Sequence, residues 1–189
     1  MNILTRKILS LLFVSGLYLN TFAQQQTLIG LNVNGEIFPN GFKPAAGLTF
    51  EKQLFTHSGF ETGIFYRTEK TSVITTYIYA AGYQSYAYTF SLRYLAVPVL
   101  YKYYSRIINF SAGPVADFYI GWKQKNDGSP VRIENVEVGH KVNIGFLVKA
   151  GKLIALNKKF LLEPELRFGS DRTLENVSLG IGVAGKYRF

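Results

Sequence analysis

Glu163, Glu165 and Arg167 stand two residues apart on one face of an extended segment. Paired carboxylates whose environments differ can divide acid and base roles between them. Set against Lys186 and Arg188 on the final segment, the same residues equally make a cross-strand salt-bridge ladder. In a narrow closed interior the ladder is the expected outcome, because a broken buried pair is costly. Gly180-Ile181-Gly182-Val183-Ala184-Gly185 matches the dinucleotide-binding fingerprint letter for letter, but that loop must open a helix whose amino end holds the pyrophosphate. The chain reaches Phe189 four residues later, so these small residues are expected to let strands pack closely. His57 and His140 fall at opposite ends of any barrel and cannot share a metal. Ser129, His140 and Asp127 supply the residue types of a hydrolase, but nothing in their sequence makes them converge. With no cysteine there is no thiolate metal site, thiol nucleophile or disulfide. No catalytic residue, metal or cofactor is expected.

The elements that must carry these residues are strands. From Asn176 to Phe189, Leu179, Ile181, Val183, Tyr187 and Phe189 point one way, while Gly180, Gly182, Ala184, Lys186 and Arg188 point the other. Apolar side chains on one face with glycine and bases on the other are the period-two signature of a transmembrane β-barrel. Other strands repeat it. Ile29, Leu31, Val33 and Ile37 oppose Asn32, Asn34 and Glu36; Val142, Ile144, Phe146 and Val148 oppose Asn143 and Lys149; Leu162, Leu166 and Phe168 oppose Glu163, Glu165 and Arg167. The inward acids Glu36, Glu51, Glu61, Asp117, Glu163 and Glu165 are matched one for one by Arg67, Arg93, Lys149, Arg167, Lys186 and Arg188. A soluble lipocalin-type barrel would reverse this, with an apolar cavity and a polar exterior. At roughly 2–4 kcal/mol for each lysine or arginine at mid-bilayer, the charges belong inside.

The pattern predicts an all-β fold, an eight-stranded antiparallel up-and-down transmembrane β-barrel. Its strands run Leu28 to Phe38, Ala45 to Phe55, Gly59 to a turn at Ala80-Ala81-Gly82, back to Tyr104, Ile107 to Trp122, Lys141 to Ala155, Phe160 to Gly169, and Asn176 to the end. Connections at 56–58, 105–106 and 157–158 are short and periplasmic. Those at 68–86, 123–140 and 170–175 are mostly longer and external, the alternation outer-membrane barrels show. The alternation before Arg93 and after Leu95 is out of phase, which predicts a β-bulge near Tyr94.

The amino terminus points to export. Arg6 and Lys7 precede an apolar run from Ile8 to Leu19, and Thr21-Phe22-Ala23 presents small residues before Gln24. This reads as a secretory signal peptide over 1–23, too short to span a bilayer as a helix, leaving 24–189 as the barrel domain. The formal charge of +9 is scattered, not clustered on one element, which argues against nucleic acid and suits anionic lipid headgroups. Tyr86, Tyr88 and Trp122 are expected in an outer aromatic girdle, and Tyr101 and Tyr103 in an inner one. Tyr187 and Phe189 end the chain as a terminal-strand signal for the barrel assembly machinery.

The segment Tyr94-Leu95-Ala96-Val97-Pro98-Val99-Leu100-Tyr101-Lys102-Tyr103, followed by Ala112-Gly113-Pro114 and a terminal phenylalanine, resembles the PorT-like outer-membrane β-barrel family. The likeness covers essentially the whole of 24–189 and departs at Ala96, where that family commonly has an acid. It implies an outer-membrane barrel and not an activity. The expected function is that of a non-catalytic structural or accessory surface protein of the bacterial outer membrane. It would contact lipid and lipopolysaccharide and meet a protein partner through its external loops. A small passive pore and a lipid-modifying enzyme are the alternatives; a pore needs a water-filled lumen and an enzyme a convergent site.

Overall fold

The computed structural model describes residues 26–38, 41–79, 82–124, 141–171 and 176–189. The expected signal peptide and the external connections at 125–140 and 172–175, with Asp127, Ser129 and His140, lie outside the described residues. The strands are β1 (Thr27–Phe38), β2 (Gly41–Phe55), β3 (Ser58–Tyr79), β4 (Gly82–Tyr103), β5 (Asn109–Gln124), β6 (Val142–Gly151), β7 (Ile154–Ala155), β8 (Phe160–Asp171) and β9 (Asn176–Arg188). All pairings are antiparallel. The sheet runs β6-β5-β4-β3-β2-β1-β9-β8 and closes on itself through β6 and β8.

The ring therefore has eight members, because β7 is a two-residue stub that pairs only with β8. The expected sixth strand, Lys141 to Ala155, is split at Lys152. Its ladder with β8 ends at Gly151 opposite Glu165, and the next residue on β8 is Pro164, which has no N–H to offer. Across the break the Lys152 N–H bonds the Pro164 carbonyl at 3.3 Å, and pairing with β8 resumes at Ile154 opposite Leu162.

Burial alternates as the sequence demands, with the sense inverted relative to a soluble protein. On β1, Leu31, Val33 and Ile37 are 65–68% exposed while Asn32, Asn34 and Glu36 are at most 6% exposed. The exposed apolar band continues round the barrel through Leu48, Ile64, Val99, Ile144, Leu166 and Ile181. Water would not support so continuous an apolar surface, and hydrocarbon does.

Two irregularities set which side chains enter the lumen. The β4–β5 register passes from Arg93↔Gly121 to Tyr94↔Tyr119, leaving Ile120 as an extra residue. The bulge is where the sequence suggests, but its extra residue sits on β5, where Gly121 takes a φ of +147°. β4 thus keeps one phase from Tyr88 to Lys102 and β5 changes face. β3 and β4 are each 22 residues long, against about 9–11 needed to cross a bilayer, and they run on beyond that level as a hairpin. β2 leaves β3 at Ala45↔Arg67 and β5 leaves β4 at Phe90↔Gln124, while β3 and β4 stay paired to Tyr79↔Gly82. Among the described residues the upper hairpin is a two-stranded ribbon.

Candidate functional site

Among the described residues, the lumen is where the strands bring acidic and basic side chains together as buried ion pairs. Its lower layer is built on two lysines. Lys102 donates to Glu163 at 2.7 and 2.8 Å and to Glu51 at 2.9 Å, and Lys186 bonds Glu51 and Glu163. The Tyr104 hydroxyl donates to the other Glu51 oxygen at 2.7 Å. Burial and the Glu51 carboxylate push that hydroxyl, at the mouth beyond β4, well above the ordinary phenol range. In the middle layer Lys149 reaches Glu61 at 2.5 Å and Glu165 at 2.8 Å. Arg167 donates to Glu165 at 2.6 Å and to Glu36 at 2.9 Å. Asn32 adds a bond to Glu165 at 3.0 Å. The upper layer pairs Arg67 with Asp117, and Lys43 with Glu69 at 3.1 Å.

Glu51, Glu61 and Glu163 bring carboxylate oxygens within 4.8 Å of one another, the spacing of a cation site. The ammonium groups of Lys102 and Lys186 already supply the positive charge there. The room left over is small only in the upper layer. An upper cavity beside Arg67, Ala96 and Asp117 offers about 30 Å³, and a second, of about 210 Å³, opens at the mouth beside Glu51, Tyr104 and Arg106. The lysine–carboxylate layers lie between them.

Ten of the twelve expected lumen charges join this network: Glu36, Glu51, Glu61, Arg67, Asp117, Lys149, Glu163, Glu165, Arg167 and Lys186. Arg188 points inward beside Leu28, but its Nε is buried with no hydrogen-bond partner. Arg93 is a correction: opposite Thr68, it lies on the outward face, because the bulge leaves the phase of β4 unbroken. Lys102, 1% exposed, takes its place. The unbroken outward series Val97, Val99, Tyr101, Tyr103 was the signal that put Lys102 inside. Lys43 and Glu69 were also missed.

The girdle needs correcting at its outer end. Tyr88 is 1% exposed and faces the interior. Trp122, past the bulge, packs edge-on against buried Phe90 at 5.6 Å. The side chain of Tyr86 lies outside the described residues. At the other end Tyr101 and Tyr103 are exposed outward, and Tyr187 stacks edge-on with Phe160 at 5.3 Å and with Phe189 at 5.0 Å. His57 meets the Tyr104 carbonyl at 3.1 Å at the rim, with no serine or carboxylate in a catalytic relation to it among the described residues.

Charges inside, hydrocarbon side chains outside and a closed ring decide the architecture. The chain is an eight-stranded transmembrane β-barrel. No family model and no curated protein matches it. Among solved structures it is similar to the outer membrane protein OprG from Pseudomonas aeruginosa, at 11% identity over 87% of this chain and 96% of that one, with a TM-score of 0.52. Neisserial surface protein A is similar at 10% identity over 87% and 97%, TM-score 0.46. Ail of Yersinia pestis is similar at 9% identity over 88% and 99%, TM-score 0.46. What the OprG likeness shows is the fold, that of the small outer-membrane barrels.

Proposed function

We propose that the protein is a non-catalytic integral outer-membrane barrel whose filled lumen is a rigid anchor and whose external side meets a protein partner. The observation that carries this reading is the lumen itself: three layers of buried ion pairs separate a cavity of about 30 Å³ beside Arg67 from one of about 210 Å³ at the mouth beside Glu51. The external ribbon supports the accessory role. It bears no charged residue from Thr71 to Leu92, and an isolated two-stranded ribbon is at best marginally stable in water until something packs on it. The apolar exterior would contact lipid and lipopolysaccharide, and Tyr187 with Phe189 would serve the assembly machinery as the terminal-strand signal. Kinship with the PorT-like family rests on the motifs at 94–103 and 112–114.

The test is electrical. Residues 24–189 folded into planar bilayers should give no steady conductance, and steady ion-selective steps would overturn the filled-anchor reading in favour of a small passive pore.

A further inference from the structure

The lumen neutralises itself, but the end of the barrel that carries the chain's carboxyl terminus does not. Lys52 near the end of β2, Arg106 between β4 and β5, Lys152 at the β6 break, Lys158 and Lys159 before β8, and Arg188 at the end of β9 surround it. No aspartate or glutamate lies in 52–58, 103–109, 151–160 or 187–189, the stretches that form this end. Arg106, Lys152, Lys158 and Lys159 are exposed, and the Lys159 ammonium stands 5.8 Å over the Tyr187 ring. Lys52, cross-strand from Phe60, lies on the lipid-facing side of β2.

Like charges gathered with no acidic side chain in these stretches favour an anionic partner. The side chains between them say which kind. Phe55, Ile107, Leu156, Phe160 and Phe189 are 51–73% exposed and alternate with the bases around the rim. A soluble anionic polymer would neutralise the bases and leave these apolar groups in water. A lipid leaflet covers both, with aromatic rings at headgroup level and lysine stems reaching up to the phosphates. Short turns mark this end as periplasmic, so the leaflet is the inner one.

We propose that this collar binds anionic glycerophospholipid headgroups of the periplasm-facing leaflet. Their phosphates would lie between neighbouring lysines while the acyl chains run down the apolar band. Zwitterionic lipids supply the same hydrocarbon but cancel the charge, so they are held less strongly.

The experiment uses residues 24–189 folded in phosphatidylcholine vesicles carrying a trace of spin-labelled phosphatidylglycerol or phosphatidylcholine, with the motionally restricted fraction read by electron paramagnetic resonance. Phosphatidylglycerol should be preferred by roughly threefold or more at low salt, with the preference falling in high salt. The triple variant K152Q/K158Q/K159Q, checked for folding by heat-modifiable gel migration, should lose most of it. K70Q/K123Q, at the opposite end, should keep it. Equal restriction of the two lipids by the unmutated protein, or an undiminished preference in the triple variant, overturns the proposal. Capture by isolated peptidoglycan that depends on the three lysines, with no lipid preference, also overturns it and assigns the collar to the cell-wall polymer.

Discussion

Lys149 on β6 and Arg167 on β8 are direct cross-strand partners, two cations facing each other over the seam that closes the ring, and both bond the same carboxylate. Glu165 accepts from Lys149 at 2.8 Å on one oxygen and from Arg167 at 2.6 Å on the other. Like charges directly opposite are ordinarily destabilising. Here Glu165 between them, with Glu61 and Glu36 beyond, turns the pair into a clasp. A one-residue slip of β8 would swing Arg167 into lipid, so the clasp also fixes the register of closure.

Replacing Arg167 with alanine leaves Glu36 and Glu165 each short of a partner in a dry interior. The expected loss is about 3–5 kcal/mol, read as a lower urea midpoint for unfolding from lipid vesicles. A gap beside Glu36 would also admit water, so occasional conductance should appear where the unmutated protein shows none. A midpoint within about 0.5 kcal/mol of the original would mean that the layer does not hold the barrel together.

Lys102 and Arg93 offer a paired comparison, since they lie on the same strand but on opposite faces. Lys102→Met strips Glu163 of its ammonium partner at 2.7 Å and Glu51 of one of its two. It should destabilise by several kcal/mol, on the order of a broken buried pair. Arg93→Met, on the outer face, should change the urea midpoint by less than about 1 kcal/mol. The reverse ranking would put the phase of β4 in error.

Much of this was legible from the chain because the period-two rule is strict: in β1, β8 and β9, Glu36, Glu163, Glu165, Arg167 and Lys186 are buried where the alternation places them. What escaped was governed by pairing between strands. A single sequence shows that β4 and β5 fall out of step, but which of them carries the extra residue depends on the ladder, and Gly121 with its positive φ decides for β5. That one residue exchanged Arg93 for Lys102 and turned Trp122 inward. Pro164 likewise looks harmless within its own strand and acts only through the partner strand that must end opposite it.

The glycines of β9 separate close packing from simple tolerance. A Cβ at Gly182 would lie 2.8 Å from the Glu165 Oε1 and 3.0 Å from the Asn34 Cβ, whereas one at Gly185, on the outer face, meets nothing within 4 Å. Gly182→Val should therefore cost about 1–3 kcal/mol by overpacking, and Gly185→Ala should be close to neutral. Folding yield in detergent micelles, followed by gel migration before and after boiling, ranks the two. Equal yields would mean that the lumen is looser than its contacts imply.

Ala96 and Asp117 face each other across β4 and β5, and both line the 30 Å³ cavity with Arg67. Asp117 holds Arg67, so an acid on either strand can reach the same guanidinium. Asp117→Ala should cost about 3 kcal/mol, discounted from the upper range for buried pairs because Glu36 still stands 3.8 Å from Arg67. Adding Ala96→Asp restores a carboxylate beside Arg67 and fills the cavity, so the double variant should regain half or more of the lost stability. Ala96→Asp alone should destabilise, since it sets a second carboxylate directly opposite Asp117. A full cycle of urea midpoints measures the coupling. If the two changes simply add, the cavity is not the vacated place of an acid, and the alanine in the 94–103 motif is a packing choice with no electrostatic counterpart on β5.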